Sequence, residues 1–447
     1  MNDDLKAAVD ELTGWTRSTL EDLIRIPSVS RAGFDADPVR RSALAAADLL
    51  QDVGMQDARL LEMDGAHPAV FGEIPAAPGA PTVLLYAHHD VQPPGPSSEW
   101  DSPPFEPQER NGRLYGRGSS DDKSGVVMHL TALRAHRGRP PVGVKVFLEG
   151  EEESGSEHLP QFLEVYGSLL TADAIVIADA GNWKVGRPTF TTSLRGLIDC
   201  EVEVRVLEAA VHSGQFGGPL PDALTSLARI LASLHQADGR PAVPGLVSYE
   251  ESGLEYSNDE LRSQAGVVDG VELIGRGPLT SRLWSQPAIS VLAIDAPPVD
   301  EAINQLVPVA RAKVSVRLAP GDDPTRAINS LVHHLEGAAP WGVQVTVTPG
   351  SKGKPFRLDT AGPAYDAYRR AFQEAWSTDA VEMGVGGSIP FVSALAELYP
   401  EASILLVGSA DPSSRAHGPN ESVDLGDLQR SCLAEAIALR LLANEGQ

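Results

Sequence analysis

The chain has 447 residues, 42% of them hydrophobic and 22% charged, and its 61 acidic against 36 basic residues give a net charge of −25. This is globular composition, which excludes a disordered chain, and the negative charge repels phosphate and so argues against a nucleic-acid partner. Two cysteines, Cys200 and Cys432, exclude a disulfide scaffold and a thiolate zinc cage and fit a reducing compartment. At about 150 residues per domain the length allows two or three units. Met1-Asn2-Asp3-Asp4 lacks the basic and apolar regions of a signal peptide, and no run reaches the ~18 apolar residues of a membrane-spanning helix. A cytoplasmic protein with no membrane partner is expected.

In chain order, the apolar spacing of Leu5, Val9, Leu12, Trp15, Leu20, Leu23 and Ile24 predicts an amphipathic helix over 5–25, which Pro27 stops. An Ala/Leu-rich helix is predicted over 40–53. Four short apolar runs bounded by Gly, Pro or Asp read as buried strands: Val83–Ala87, Val142–Leu148, Ala174–Ala178 and Ser403–Val407. Helical stretches at 124–137 and 156–170 lie between them, and this alternation predicts an α/β fold with a mostly parallel sheet. The middle of the chain differs. A strand over 191–207, a helix over 220–236, a strand Val314–Leu318, a helix over 323–337 and a strand Val343–Val347 predict a smaller α+β unit. Residues 191–349 are therefore expected to be an inserted domain, with 1–190 and 350–447 forming the larger one. The segment 237–300 carries the weakest pattern.

Chemistry gathers just past the predicted strands. Val83–Ala87 runs into His88-His89-Asp90, and in extended backbone His88 and Asp90 face the same side. Open α/β sheets bind ligands at that edge, although a surface loop with a stray histidine is the bland alternative. Gly116-Arg117-Gly118-Ser119-Ser120-Asp121-Asp122-Lys123-Ser124-Gly125 crowds glycines, hydroxyls and acids before a helix. N-capping accounts for one acid and leaves the second without a reason, and the order of a phosphate-binding loop is absent. Val142–Leu148 ends in Glu149-Gly150-Glu151-Glu152-Glu153, whose carboxylates repel one another; a solvated acidic loop is the alternative to a cation site. Ala174–Ala178 ends in Asp179, and Ser403–Val407 leads to His417-Gly418-Pro419-Asn420-Glu421. Histidines and carboxylates without cysteine suit zinc, manganese or a similar divalent ion. Five ligands exceed one tetrahedral site, so two metals sharing a bridging carboxylate is the economical reading, with a spare Glu as general base.

With these motifs in hand, the chain resembles the co-catalytic zinc peptidases that include carnosinase, cytosolic nonspecific dipeptidase, the glutamate carboxypeptidases, acetylornithine deacetylase and succinyl-diaminopimelate desuccinylase. The carnosinase and nonspecific dipeptidase branch is the most similar. The resemblance runs from Leu23-Ile24-Arg25-Ile26-Pro27-Ser28-Val29-Ser30 past His417. It implies two divalent cations per subunit, zinc first and manganese second, held by His88, Asp121, Glu153, Asp179 and His417. Asp121 would bridge them, Asp179 would share a metal with His88, and His417 with Glu153. Asp90 would orient His88, and Glu152 would take the proton of the bridging water.

The middle domain resembles the family's lid and dimerisation domain. Val211-His212-Ser213-Gly214 matches its His-Ser-Gly motif, which implies that His212 stabilises the oxyanion in the partner subunit. Ser315-Val316-Arg317-Leu318-Ala319-Pro320 matches the segment whose arginine binds the substrate's C-terminal carboxylate, so Arg317 takes that role; a salt-bridged strand arginine is the alternative. Gly386-Gly387-Ser388-Ile389-Pro390 matches the Gly-Gly-Ser loop that would hold the same group. The chain departs from the branch at Gly384-Val385, where Arg-Glu is usual, at Gln305-Leu306, and in a longer loop Asp411–Ala416. The resemblance implies a homodimeric metal-dependent hydrolase of dipeptides or short peptides with a free C-terminus. An amidohydrolase of N-acyl or N-carbamoyl amino acids is the second reading, and a non-catalytic metal- or peptide-binding relative the third.

Overall fold

The computed structural model describes residues 2–251, 253–387 and 390–445. The chain divides into two compact units: Met1–Thr192 with Leu358–Met383 and Pro390–Gln447, and Ser193–Arg357 with Gly384–Ile389.

The first unit is built on a sheet whose four middle strands are parallel. Gly143–Glu149, Thr82–His88, Ala174–Ile177 and Ser403–Leu406 lie side by side in that order. They are the four apolar runs predicted from the sequence. Val83 to Ala87 and Ile175 to Ile177 are at most 1% exposed, as strands covered on both faces must be. Antiparallel strands flank this core: Ala69–Ile74 and then Gln56–Leu61 on one side, and Thr189–Leu194 on the other. Helix Lys123–Ala135 packs beside Asp3–Ile24 and Leu425–Glu445, and Leu425–Glu445 also packs on Pro363–Trp376. Ala, Val and Leu from these helices interlock with the strands in one core that includes Leu85, Val127, Leu130, Val176, Leu405 and Ala438.

Parallel strands end on one edge. The chain therefore delivers His88, the 150–153 turn after Glu149, Asp179 after Ile177, and the 408–421 loop after Leu406 to the same side of the sheet. Glycine at 125 serves this edge, because a side chain there would overlap the Asp122 carboxylate and Ala178 at the helix start.

The second unit is a four-stranded antiparallel sheet in the order Ala288–Asp295, Val309–Leu318, Gly196–Arg205, Gln344–Gly353. Helices Ala223–Ala232 and Pro324–Gly337 cover one face, burying Leu227, Ile230, Ile328 and Leu331 against Cys200, Val202, Val314 and Val316. The least readable segment supplies the edge strand Ala288–Asp295 and two short helices, Asn258–Ala265 and Leu279–Trp284.

Candidate metal centre

His88 closes its strand with its side chain fully buried. Its Nδ1 lies 3.1 Å from the Asp90 carbonyl oxygen and 3.4 Å from Asp90 Oδ1, which leaves Nε2 to face the cluster. Asp90 is itself fixed, because its Oδ2 accepts from Ser30 Oγ at 2.6 Å and from the Glu153 N–H at 3.0 Å.

The two acids before helix Lys123–Ala135 separate. Asp122 caps the helix by accepting from the Gly125 N–H at 3.1 Å. Asp121 turns the other way and stands between two imidazoles. Its Oδ1 is 3.0 Å from His88 Nε2 and its Oδ2 is 3.0 Å from His417 Nε2. One carboxylate thus offers one oxygen to each side, which is the geometry a bridging ligand needs.

The acidic run separates in the same way. Glu151 is taken up elsewhere, accepting from the His67 N–H at 2.8 Å and contacting His158 Nδ1 at 2.9 Å. Glu153 turns into the cluster with Oε2 3.1 Å from His417 Nε2. Glu152 comes within reach of His88 and Asp179: one ligand atom from each of the three lies within 4.8 Å of the others, and the same holds for His88, Asp121 and Glu153. Asp179 Oδ1 is 4.0 Å from His88 Nε2. The structure therefore brings His88, Asp90, Asp121, Glu152, Glu153, Asp179 and His417 together in the first unit.

The electrostatics of this cluster are lopsided. Five carboxylates meet two imidazoles, and among the described residues none of the five is paired with a Lys or Arg. Burial pushes Glu152 up to about 8, with the neighbouring Glu153 and Asp121 charges adding to it. Burial and Glu152 likewise raise Asp179. Burial disfavours the imidazolium of His88, but Asp121, Asp90 and Asp179 outweigh it and hold the group above its ordinary value. Hydrogen bonds to Asp121 and Glu153 push His417 up to about 10. Glu153 Oε1 and Asp90 Oδ1 are buried with no hydrogen-bond partner among the described residues. Oxygen and imidazole donors that converge from a buried His88 and Glu153, half-buried Asp121, Glu152 and Asp179 and an exposed His417, with orphaned carboxylate oxygens, fit divalent cations of the zinc or manganese kind.

Gln92 and Ser30 were missed as site residues. Gln92 Nε2 donates to both Glu153 Oε2 and the Glu153 carbonyl at 2.9 Å, orienting that carboxylate. Its place two residues past Asp90 was the only signal. Beside Glu153 opens a cavity of about 610 Å³ lined by Ser30, His67, Gln92, Glu151, Glu157 and His158 among others.

The remaining expected residues lie in the second unit. His212 is exposed on a two-residue strand opposite Gln305, and its Nδ1 accepts from the Gly214 N–H at 3.0 Å. Arg317 sits on Val309–Leu318 between Leu197 and Ala288. Gly386 lies against the guanidinium of Arg195, so that a Cβ there would come within 2.7 Å of Nη2. Gly387 follows it, and Ser388 lies outside the described residues. Arg195 is the third residue missed, after Gln92 and Ser30. It is buried, its Nε and Nη1 have no partner among the described residues, and burial together with the nearby Arg317 charge pulls it down to about 10. Gly384 packs on Trp284 and Ser193, so a longer residue has no room there.

A parallel sheet that gathers carboxylates and imidazoles for divalent cations at its C-terminal edge defines a metal-dependent hydrolase. Residues 84–439 match the model of Peptidase family M20/M25/M40, and the chain belongs to this family of dinuclear metallopeptidases. It is 36% identical over 408 residues to a cysteinylglycine-S-conjugate dipeptidase of Corynebacterium striatum, covering 90% of each chain. It is 28% identical over 396 residues to a Beta-Ala-His dipeptidase of Rattus norvegicus, covering 84% of this chain and 80% of the other. Among solved structures it matches the di-peptidase Dug1p from Saccharomyces cerevisiae with a TM-score of 0.84 at 22% identity, covering 99% and 98% of the two chains. An M20 family metallo-carboxypeptidase of Sulfolobus solfataricus matches with a TM-score of 0.81 at 25% identity, covering 96% and 99%. The expected α/β fold, hydrolase class and branch agree with these relatives. Among the described residues no helix is long and apolar enough to cross a membrane.

Proposed function

We propose that the chain is a dinuclear metal-dependent dipeptidase. The observation that carries this reading is Asp121, set between His88 and His417 with one carboxylate oxygen toward each. His88 and Asp179 would hold one cation, Glu153 and His417 the other, and Asp121 both. Zinc is the first candidate and manganese the second, since both accept this donor set. Cations held there would supply an acidified water and a polarised substrate carbonyl. Glu152, set within reach of His88 and Asp179, would accept the water's proton at its carboxylate and return it to the leaving amine nitrogen. Asp90 and Gln92 fix His88 and Glu153 while this happens. Similarity to cysteinylglycine-S-conjugate and Beta-Ala-His dipeptidases supports a dipeptide as substrate. Both cysteines are free and buried, which suits a reducing, cytoplasmic setting.

In this reading the first unit is the catalytic domain and the second the lid. Arg317, with Gly386, Gly387 and Ser388, would take the substrate's C-terminal carboxylate, and Arg195 beside Gly386, whose Nε and Nη1 have no partner among the described residues, supports an anion there. A dipeptide should then be cleaved with kcat/KM at least about 100-fold above its C-terminal amide, the scale on which a buried cation left unpaired is penalised. Equal rates on the two would remove the carboxylate from recognition.

A homodimer through the lid is supported by the edge strand Ala288–Asp295, which exposes Val291, Leu292 and Ile294. Such an apolar edge is a template for pairing with a second chain. His212 would then act on the oxyanion in the partner's site. Mixing an inactive His212→Ala variant with an inactive Glu152→Gln variant should restore activity, because one site of the heterodimer keeps both residues. A heterodimer proven by mass that stays inactive would exclude action in trans.

A further inference from the structure

The dinuclear reading uses His417 and leaves Glu421, four residues on, without a role. Glu421 is fully buried, and its carboxylate is saturated with donors. Oε1 accepts from the Ser120 N–H at 2.9 Å, Ser120 Oγ at 3.1 Å and the Asp121 N–H at 3.1 Å. Oε2 accepts from the Gly118 N–H at 3.0 Å and from Arg117 Nη1 at 2.5 Å. Arg117 is equally buried, and its Nη2 donates to the His417 carbonyl at 3.1 Å and to the Pro93 carbonyl at 3.3 Å. The Gly116 N–H also donates to the Glu421 carbonyl at 2.9 Å.

One ion pair thus grips the backbone of two cluster residues, the amide of Asp121 and the carbonyl of His417. Both residues are carried on loops. The 411–421 loop has Arg415, His417 and Asn420 in the left-handed region, with φ of 54°, 64° and 59°, a conformation that persists only where its surroundings impose it. An apolar filling would serve packing at least as well as a buried ion pair. Its directional hydrogen bonds do what packing cannot, which is to set the separation of two side chains that face each other at 3.0 Å.

We propose that Arg117 and Glu421 are positioning residues for the metal centre, fixing the spacing between Asp121 and His417 that the second cation requires. The proposal rests on the reading that these two residues are metal ligands.

The test uses Arg117→Lys and Glu421→Asp, which keep the charge of the pair but shift its geometry; the lysine puts one ammonium in place of the fork whose two ends hold Glu421 and the His417 carbonyl. Metal-free wild type and variants are compared by near-ultraviolet circular dichroism and melting, then titrated with manganese by calorimetry and electron paramagnetic resonance. The first cation should bind within a few-fold of wild type. The second should weaken about 10–100-fold, the usual cost of disturbing a ligand's outer support, and the spectrum of a coupled manganese pair should give way to that of an isolated ion. Folded variants that take up two coupled cations with wild-type affinity would overturn the proposal while leaving the dinuclear reading intact. Metal-free variants that have lost their fold would also overturn it, by making the pair a determinant of folding. A wild-type protein that binds fewer than two cations would overturn the dinuclear reading itself.

Discussion

Replacing Glu152 by Gln should lower kcat by about 10²–10⁴-fold, the usual worth of a positioned general base, with both cations still bound. The substitution keeps the shape and the hydrogen-bonding reach of the side chain but removes its capacity to accept a proton. Glu152 suits the part by position: it is half-buried and its carboxylate comes within 4.8 Å of ligand atoms of His88 and Asp179. Glu151 cannot replace it, being engaged by His67 and His158. The check is turnover of a dipeptide measured on the same samples as metal content. Wild-type kcat with full metal occupancy would take Glu152 out of the reaction.

Replacing Asp121 by Asn should cost more, because it removes the carboxylate that offers one oxygen to each imidazole at 3.0 Å. Metal content should fall below two per chain, and affinity should drop by more than the about 10–100-fold that an outer-support change costs. Chelation of the wild type should have the same consequence and be reversed by adding zinc or manganese. The metal-free chain should stay folded, since the strands beneath the site are held by apolar packing of Val83 to Ala87 and Ile175 to Ile177. It should nevertheless melt lower than the loaded form, because a ligand present at about 100 times its Kd adds about 2.7 kcal/mol to the native state. A loaded and a chelated protein with equal melting temperatures and equal activity would contradict the centre. Loading at neutral pH should also release protons, because His417, pushed up to about 10 in the metal-free site, must become neutral to ligate.

The parallel heart of the fold was legible because its strands are buried on both faces and so read as unbroken apolar runs, from Val83–Ala87 to Ser403–Val407. The flanking strands Gln56–Leu61 and Ala69–Ile74 carry mixed polarity and a register shift between Gln56 and Arg59, and were not anticipated. Ala288–Asp295 escaped for the opposite reason: it is an edge strand with exposed apolar residues, so burial does not organise its pattern. At the site, the spare acid of Asp121-Asp122 was a usable signal, since a cap needs only one carboxylate and Asp122 supplies it. Arg195 left no such trace; Gln92 offered only its place two residues past Asp90, and Ser30 and Glu421 lie within the Leu23–Ser30 and His417–Glu421 motifs with nothing in the pattern to single them out. Each acts through a hydrogen bond or a close approach to a residue distant in sequence, as with Ser30 and Asp90 or Glu421 and Asp121. Among the departures at the substrate end, Gly384 has a physical reason in Trp284, which fills the room a longer side chain would need.

The most direct measurement is the hydrolysis of a free dipeptide by metal-loaded protein, with the corresponding N-acetyl amino acid as parallel substrate and a chelated sample as control. Chelator-sensitive cleavage of the dipeptide, with the acetyl compound untouched, is the predicted result. Cleavage of the acetyl compound alone would contradict the dipeptidase account and move the chain to the amidohydrolases that use the same kind of centre.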